Sequence, residues 1–326
     1  MGGGGRSLSE LRKSVFMQEE AVSATRIGSV LTSVRARILV PLVLGPLFIV
    51  GVGIDSWQCT TTWLWIDDVL ATLAAAGFLD ANRTLFDMPT SGRVAFRVLS
   101  LAVLVSVVRV PGLPFGKSNW TTYGLAVSCT YLVAPVLIGF CRERAASPAV
   151  LLAPPFAEGT WVVLAGGGTK RINHHLIAQN QQGAIDLVRL GPNGAKARVL
   201  RPRAVADFAA YGAELVAPCD GVIVRAADGL PDQVPGPPVL APPCGNHVTI
   251  DTGTEHVVLA HMQPGSVQVR EGDNVTAGQP IGRVGNSGRS FEPHLHLHAE
   301  RDGVGVRLRF RGVKGPLARG RKIVVG

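Results

Sequence analysis

The chain has 326 residues, a formal net charge of +9, and 47% hydrophobic against 17% charged residues, which is enough for two domains of ordinary size. Its five cysteines (Cys59, Cys129, Cys141, Cys219, Cys244) form no C-x-x-C pair, which argues against a thiolate zinc site or a dithiol redox motif. The basic run Arg307–Lys322 lacks repeated aromatic interleaving, which makes nucleic acid a less favoured partner.

In chain order, residues 1–37 open with Met1 and four glycines and predict a flexible segment. Residues 38–145 are apolar and histidine-free and predict an α-helical membrane region. Ile38–Ile54 and Ser118–Cys141 carry no charge and approach or exceed the roughly 17–25 residues that cross a bilayer. Thr62–Leu79, with Asp67 and Asp68, and Ala95–Leu113, with Arg97 and Arg109, are weaker candidates. They cross only by snorkelling or by turning those charges into a bundle. The first span starts too late, behind too many charges, for a simple cleavable signal peptide. Arg26, Arg35 and Arg37 before it predict a cytoplasmic N-terminus. Two or four crossings then return the rest of the chain to that side, and three place it opposite.

An Ala/Pro linker is predicted over 146–155. Beyond it, short runs such as Trp161–Leu164, Gly221–Val224, His247–Ile250, His256–Ala260 and Pro280–Val284 are separated by Gly, Pro, Asp and Asn, which predicts an all-β or β-rich domain over 156–312. Val222–Arg225 and His247–Ile250 are expected to pair as a hairpin. Leu230–Gly245 is Pro-rich, too long for a tight turn, and predicts a surface excursion. Cys219 and Cys244 fall toward opposite ends of that hairpin, so a disulfide requires the intervening loop to fold back.

All eight histidines lie beyond residue 173. In Glu292-Pro-His-Leu-His-Leu-His298, strand alternation puts His294, His296 and His298 on one face and Leu295 and Leu297 on the other. This is a metal-site pattern, because neutral imidazole is the commonest zinc ligand. Three further islands precede it in order. The first is Asn173-His-His175 with Ala184-Ile-Asp186. The second is Val216-Ala-Pro-Cys-Asp-Gly-Val222 with Gly245-Asn-His-Val-Thr-Ile250. The third is Leu259-Ala-His261, followed by the glycine-punctuated run Val269–Gly288 leading into Pro293-His-Leu-His296. Over roughly residues 155–312 the whole set resembles the LytM/lysostaphin-type zinc metallopeptidases, the peptidoglycan endopeptidases.

The resemblance implies a duplicated-hybrid-motif-like sandwich or barrel, zinc held by His175, Asp186 and His296, and His261 and His294 as non-ligand catalytic histidines. Two histidines and one aspartate leave zinc with residual positive charge and an open position. Most members carry the first ligand four residues before the Asp, where this chain has Gln182. Asn173-His-His175 with Gln181-Gln-Gly-Ala-Ile-Asp186 resembles instead a branch in which His175 is the ligand, with His174 as the fallback. Taken alone, His261 at the end of an apolar strand would be a buried structural histidine. His298 is assigned to the rim, roughly 13 Å from His294 by strand rise. His247 and His256 are expected to be ordinary strand residues, and Gly272, Gly278, Gly285 and Gly288 to serve turns with positive φ.

The implied function is that of a membrane-anchored endopeptidase cutting peptide stems or cross-bridges of peptidoglycan. Its partners would be the peptidoglycan peptide and the lipid bilayer, with the peptidase domain outside the cytoplasm, although Arg142 and Arg144 argue for the inside. The alternative is a non-catalytic wall-binding or hydrolase-activating domain. A biotinyl or lipoyl carrier, which shares the Val-Ala-Pro and Gly-Asp-x-Val signatures, is ruled out because no lysine occurs between Lys196 and Lys314. Seven basic residues lie between Arg307 and Lys322, and residues 313–326 are expected to be a solvated tail or a contact to anionic lipid or wall polymer.

Overall fold

The computed structural model describes Phe48 and residues 50–81, 87–145 and 149–326. The predicted flexible segment 1–37 and most of the predicted span Ile38–Ile54 lie outside the described residues.

Residues 50–58 are helical, followed by α1 (Thr62–Ala81), α2 (Thr90–Val105), which is prolonged by a 3-10 turn over Ser106–Gly112, and α3 (Trp120–Ala145). Pro89 fits the N-cap of α2 because its missing N–H lies where no intrahelical partner exists. Two helical stretches, Thr90–Gly112 and Trp120–Glu143, are long and apolar enough to cross a membrane. The first covers the weaker sequence candidate Ala95–Leu113 except for Leu113 itself, which is extended. Its Arg109 is turned onto the backbone carbonyls of Ser56 and Cys59, both at 3.3 Å, which satisfies the guanidinium inside the helical region. Trp65 Nε1 donates to Ser106 Oγ at 2.8 Å, and Val52, Ala71 and Val103 form a small apolar cluster.

The remainder is built of strands: β1 (Ala149–Leu152), β2 (Gly159–Ala165), β3 (Ile185–Arg189), β4 (Glu214–Val216), β5 (Gly221–Ala227), β6 (Asn246–Asp251), β7 (His256–Met262), β8 (Asn274–Val275), β9 (Pro280–Arg283), β10 (Leu295–Arg301), β11 (Val304–Phe310) and β12 (Lys322–Val325). Eight run in the order β12-β2-β3-β10-β7-β6-β5-β8. β11 pairs with β10 and, on its other side, with β1, while β4 and β9 make a separate two-stranded sheet. Every pairing is antiparallel except β1 with β11. The expected hairpin is present, with Val222 opposite Asp251 and Ile223 opposite Ile250. Cys219 and Cys244 are free thiols.

Two expectations are corrected. From Ala149 the predicted linker is strand β1, and Phe156 just after it is buried, stacked on Trp161 with ring centroids 4.1 Å apart. The predicted solvated tail closes the sheet's edge instead. β12 pairs with β2, and Leu317, Ala318 and Ile323 are buried. Upstream in the same basic run, Arg307 and Arg309 meet Glu143 at 3.3 and 3.2 Å. Burying those apolar residues outweighs the cost of drawing in the basic ones between them; Arg319 and Arg321 are partly buried, and Arg319 Nη2 donates to the Arg171 carbonyl at 3.0 Å.

The core lies on one face of the large sheet, where Val163, Leu187, Val248, Ile250, Val257, Leu259, Leu295 and Leu297 interlock. The alternation that sends Leu295 and Leu297 into this core turns the β10 histidines to the opposite face. Gly272, Gly278 and Gly288 have the positive φ expected of them (92°, 91° and 75°). Gly285 does not. It is glycine because a Cβ there would run into the backbone N of Gln263 on the neighbouring segment.

Candidate metal and catalytic site

The site is organised by the pairing of β3 with β10, whose register sets Asp186 directly opposite His296. Both side chains are buried, and His296 Nδ1 lies 3.1 Å from Asp186 Oδ1. His175 arrives from outside the sheet, on the 3-10 turn His174–Ile177. Asn173 caps that turn. Its Oδ1 accepts from the His175 backbone N–H at 3.2 Å, and its Nδ2 donates to the Ala184 carbonyl at 3.1 Å, tying the turn to the residue two before Asp186. The cap delivers His175 Nε2 to 2.9 Å from Asp186 Oδ1. His174 stays at the mouth, its side chain 53% exposed and its Nε2 3.9 Å from Asp186 Oδ2. Gln182 is exposed and lines a separate depression with Gly305 and Val306, so the ordinary ligand position points away from the cleft.

His294 comes within 3.5 Å of Asp186 Oδ1 through Nε2, while its Nδ1 is 2.7 Å from the Glu292 carbonyl. His261, next to last in β7, has φ +64°, a conformation costing a non-glycine residue about 1–3 kcal/mol. Two bonds hold it there, its backbone N–H to the Cys244 carbonyl at 2.9 Å and its Nδ1 to the Ser287 carbonyl at 2.8 Å. Its ring centroid is 4.8 Å from that of His294 and 5.8 Å from that of His296. These groups line a cleft of about 600 Å³, whose wall also includes Ile177, Pro243, Arg289 and Phe291.

His298 is not at the rim. It is buried behind His296, with Nδ1 2.9 Å from His296 Nε2. The spacing estimate measured it from His294, whereas its nearest neighbour on the same face is His296, two residues away. Burial, with His296 beside it, pushes its pKa down to about 3, so it is a neutral partner. His247 and His256 are ordinary strand residues, His256 exposed at the start of β7.

The charges follow from burial and neighbours. Burial would raise the Asp186 carboxyl, but His175 and His294 hold it well below the usual carboxylate range. Burial lowers His261 well below an ordinary imidazole, and the neighbouring His294 and His296 add to this. Burial also leads in lowering His296, against its bond to Asp186. For His294 burial works downward but is overcome by Asp186 and the Glu292 carbonyl, leaving it raised.

Proton counting shows what the cluster can hold. The contacts of His296 fit two tautomers: Nδ1–H donating to Asp186 Oδ1 while Nε2 accepts from His298 Nδ1, or Nε2–H donating to His298, which turns the Nδ1 lone pair toward the carboxylate as a metal ligand requires. His175 Nε2 faces the same oxygen. In the second tautomer, with His175 likewise presenting its Nε2 lone pair, the group suits a shared cation, and two imidazoles with one carboxylate is a zinc donor set. Among the described residues, His174, His175 and Asp186 place their ligand atoms within 4.8 Å of one another.

The sequence placed Asn173 in the motif without its capping role and gave Ser287 no role, yet these two orient His175 and His261. The Asn preceding His-His was a readable N-cap signal, whereas nothing local marked Ser287.

Residues 202–308 match Peptidase family M23. The C-terminal part of the chain is therefore a β-rich, antiparallel M23 peptidase domain. The match spans His261, His294 and His296 but starts after His175 and Asp186, which the fold brings to the same cleft. The domain is similar to several solved structures. A SpoIIQ–SpoIIIAH pore-forming complex matches at 22% identity, over 37% of this chain and 58% of that one, TM-score 0.25. A putative M23 peptidase from Pseudomonas aeruginosa matches at 18% identity, over 52% and 54%, TM-score 0.29. The lysostaphin catalytic domain from Staphylococcus simulans matches at 21% identity, over 44% and 76%, TM-score 0.23. At such TM-scores these likenesses carry no inference, and the chain spans only 35–58% of the first three relatives' own length. No curated protein matches.

Proposed function

We propose that the protein is a membrane-anchored zinc metalloendopeptidase that hydrolyses peptide bonds in the stems or cross-bridges of peptidoglycan. The observation that carries this reading is the convergence of His175, Asp186 and His296 on one point at the floor of an open cleft. These three would hold zinc, with His174 at the mouth. When bound, the ion supplies a Lewis acid for the scissile carbonyl and lowers the pKa of the attacking water.

The other two histidines divide the proton work. His261 is kept neutral and uses Nδ1–H on the Ser287 carbonyl, so its Nε2 lone pair accepts the proton of the attacking water. His294 uses Nδ1–H on the Glu292 carbonyl and is biased toward its protonated form, so Nε2–H donates to the developing oxyanion or to the leaving amine. The two helical stretches long enough to cross a membrane support anchoring, and the proposed substrate favours an extracytoplasmic peptidase domain.

Digestion of purified sacculi with the zinc-loaded protein tests the reading. New amino termini within the peptides, with the glycan strands intact, are expected by mass spectrometry. Cleavage confined to the glycan would contradict it. No cleavage of any murein with metal bound would favour the wall-binding, non-catalytic alternative.

A further inference from the structure

The connection between α1 and α2 belongs to the apolar region, yet its end is docked beside the peptidase cleft. Met88 is buried, and the Thr90 backbone N–H donates to the Asn193 carbonyl at 2.7 Å. At Gly194, φ +77°, a side chain would collide with Thr90 Oγ1, so this approach requires glycine. Two residues further on, Lys196 is buried with its ammonium between two carboxylates. Nζ lies 2.7 and 2.8 Å from the two oxygens of Glu292 and 3.1 Å from Asp87 Oδ1. Burial works against the charge on Lys196, but Glu292 and Asp87 outweigh it and hold its pKa above the ordinary lysine value.

Glu292 is where this ion cluster meets the cleft. Its backbone carbonyl is the acceptor for His294 Nδ1 at 2.7 Å, and Ser290 Oγ donates to the same carbonyl at 3.0 Å. Pro293 fixes one backbone dihedral between Glu292 and His294, so the set of the Glu292 backbone is passed on to the imidazole with little slack. The Glu292 side chain is held by Lys196 alone among its hydrogen bonds between described residues, and Lys196 is held in turn by Asp87.

We propose that Lys196 and Asp87 are positioning residues of the peptidase site, acting on His294 through Glu292, and that the apolar N-terminal region thereby contributes a side chain to the site's support. The role of His294 rests on the function proposed above; the structural coupling does not. An exposed ion pair would count for little, but removing one partner of a buried cluster leaves a charge with no compensation. A catalytic group displaced by about 1 Å can lose on the order of a hundredfold in rate.

The test uses the full chain in lipid nanodiscs, loaded with zinc. Asp87→Asn removes one charge at a loop and is the variant least prone to unfold; Lys196→Met, Lys196→Arg and the Asp87→Asn/Lys196→Met double variant complete the set. Murein hydrolysis is expected to fall in kcat, by roughly ten- to a hundredfold for Lys196→Met, with KM and zinc content held. Lys196→Arg should recover part of the loss, and the double variant should be no worse than Lys196→Met. In parallel, selective ¹⁵N labelling of histidine follows the Nδ1 proton of His294. In the wild type it should exchange slowly, and in Asp87→Asn quickly. Unchanged kcat and unchanged exchange in Asp87→Asn and Lys196→Met would overturn the proposal. A wild type that cleaves no murein while its His294 proton still responds to Asp87→Asn would sink the functional reading and leave the positioning intact. Cleavage with a proton that never responds would do the reverse.

Discussion

His175→Ala and Asp186→Ala are each expected to strip the protein of zinc and take hydrolysis to background, whereas His174→Ala retains more metal than His175→Ala. Asp186 is the common point, since the ring nitrogens of His175, His296 and His294 stand 2.9, 3.1 and 3.5 Å from its Oδ1. Removing it leaves three imidazoles without a counter-charge and the cation without its carboxylate. Losing a residue that only orients a ligand typically costs about 10–100-fold in metal affinity, so losing a ligand should cost more. His175 is buried and braced by Asn173, while His174 is half in solvent. Metal analysis of the purified variants reads this directly. Full zinc occupancy in both His175→Ala and Asp186→Ala would exclude the assignment, and a lower zinc content in His174→Ala than in His175→Ala would move the ligand by one residue.

Alanine at His294 or His261 should behave in the opposite way, leaving zinc bound while depressing hydrolysis by about a hundred- to ten-thousand-fold. Neither residue is needed to hold the ion in this account, but each carries a proton in the reaction. The pH profile adds a second readout. Against the effect of burial, His294 is raised by Asp186 and the Glu292 carbonyl, so its donor is present below that raised value and is lost as pH rises through it. The acid side falls for a different reason, because the ligand imidazoles must be neutral to bind metal and are protonated as pH drops. His294→Ala should therefore lose the alkaline limb of the wild-type bell and keep the acid one. Near wild-type rates in either variant would make that histidine structural.

What could be read from the sequence depended on whether the signal was local. Alternation in Leu295–His298 is a period-two pattern within one strand, so the placement of His294 and His296 on one face, away from Leu295 and Leu297, was legible. The Val222/Asp251 hairpin was legible for the same reason, two apolar strands bounded by turn residues. β1 and β12 were not. Each has four residues, and their partners β11 and β2 are far away in sequence, so Ala/Pro and basic composition hid them. The orientation of His175 depends on a 3-10 turn capped by Asn173 and tied to Ala184, which residue spacing does not encode. The meeting of Asp87, Lys196 and Glu292 joins three distant segments and has no local signature at all.

The central claim is that hydrolysis depends on zinc held in the cleft between β3, β10 and the His175 turn. Its most direct test is murein cleavage by the full chain before chelation, after thorough metal removal, and after zinc is returned. The account predicts activity that disappears with the metal and comes back with stoichiometric zinc. Undiminished cleavage by the metal-free protein would contradict it.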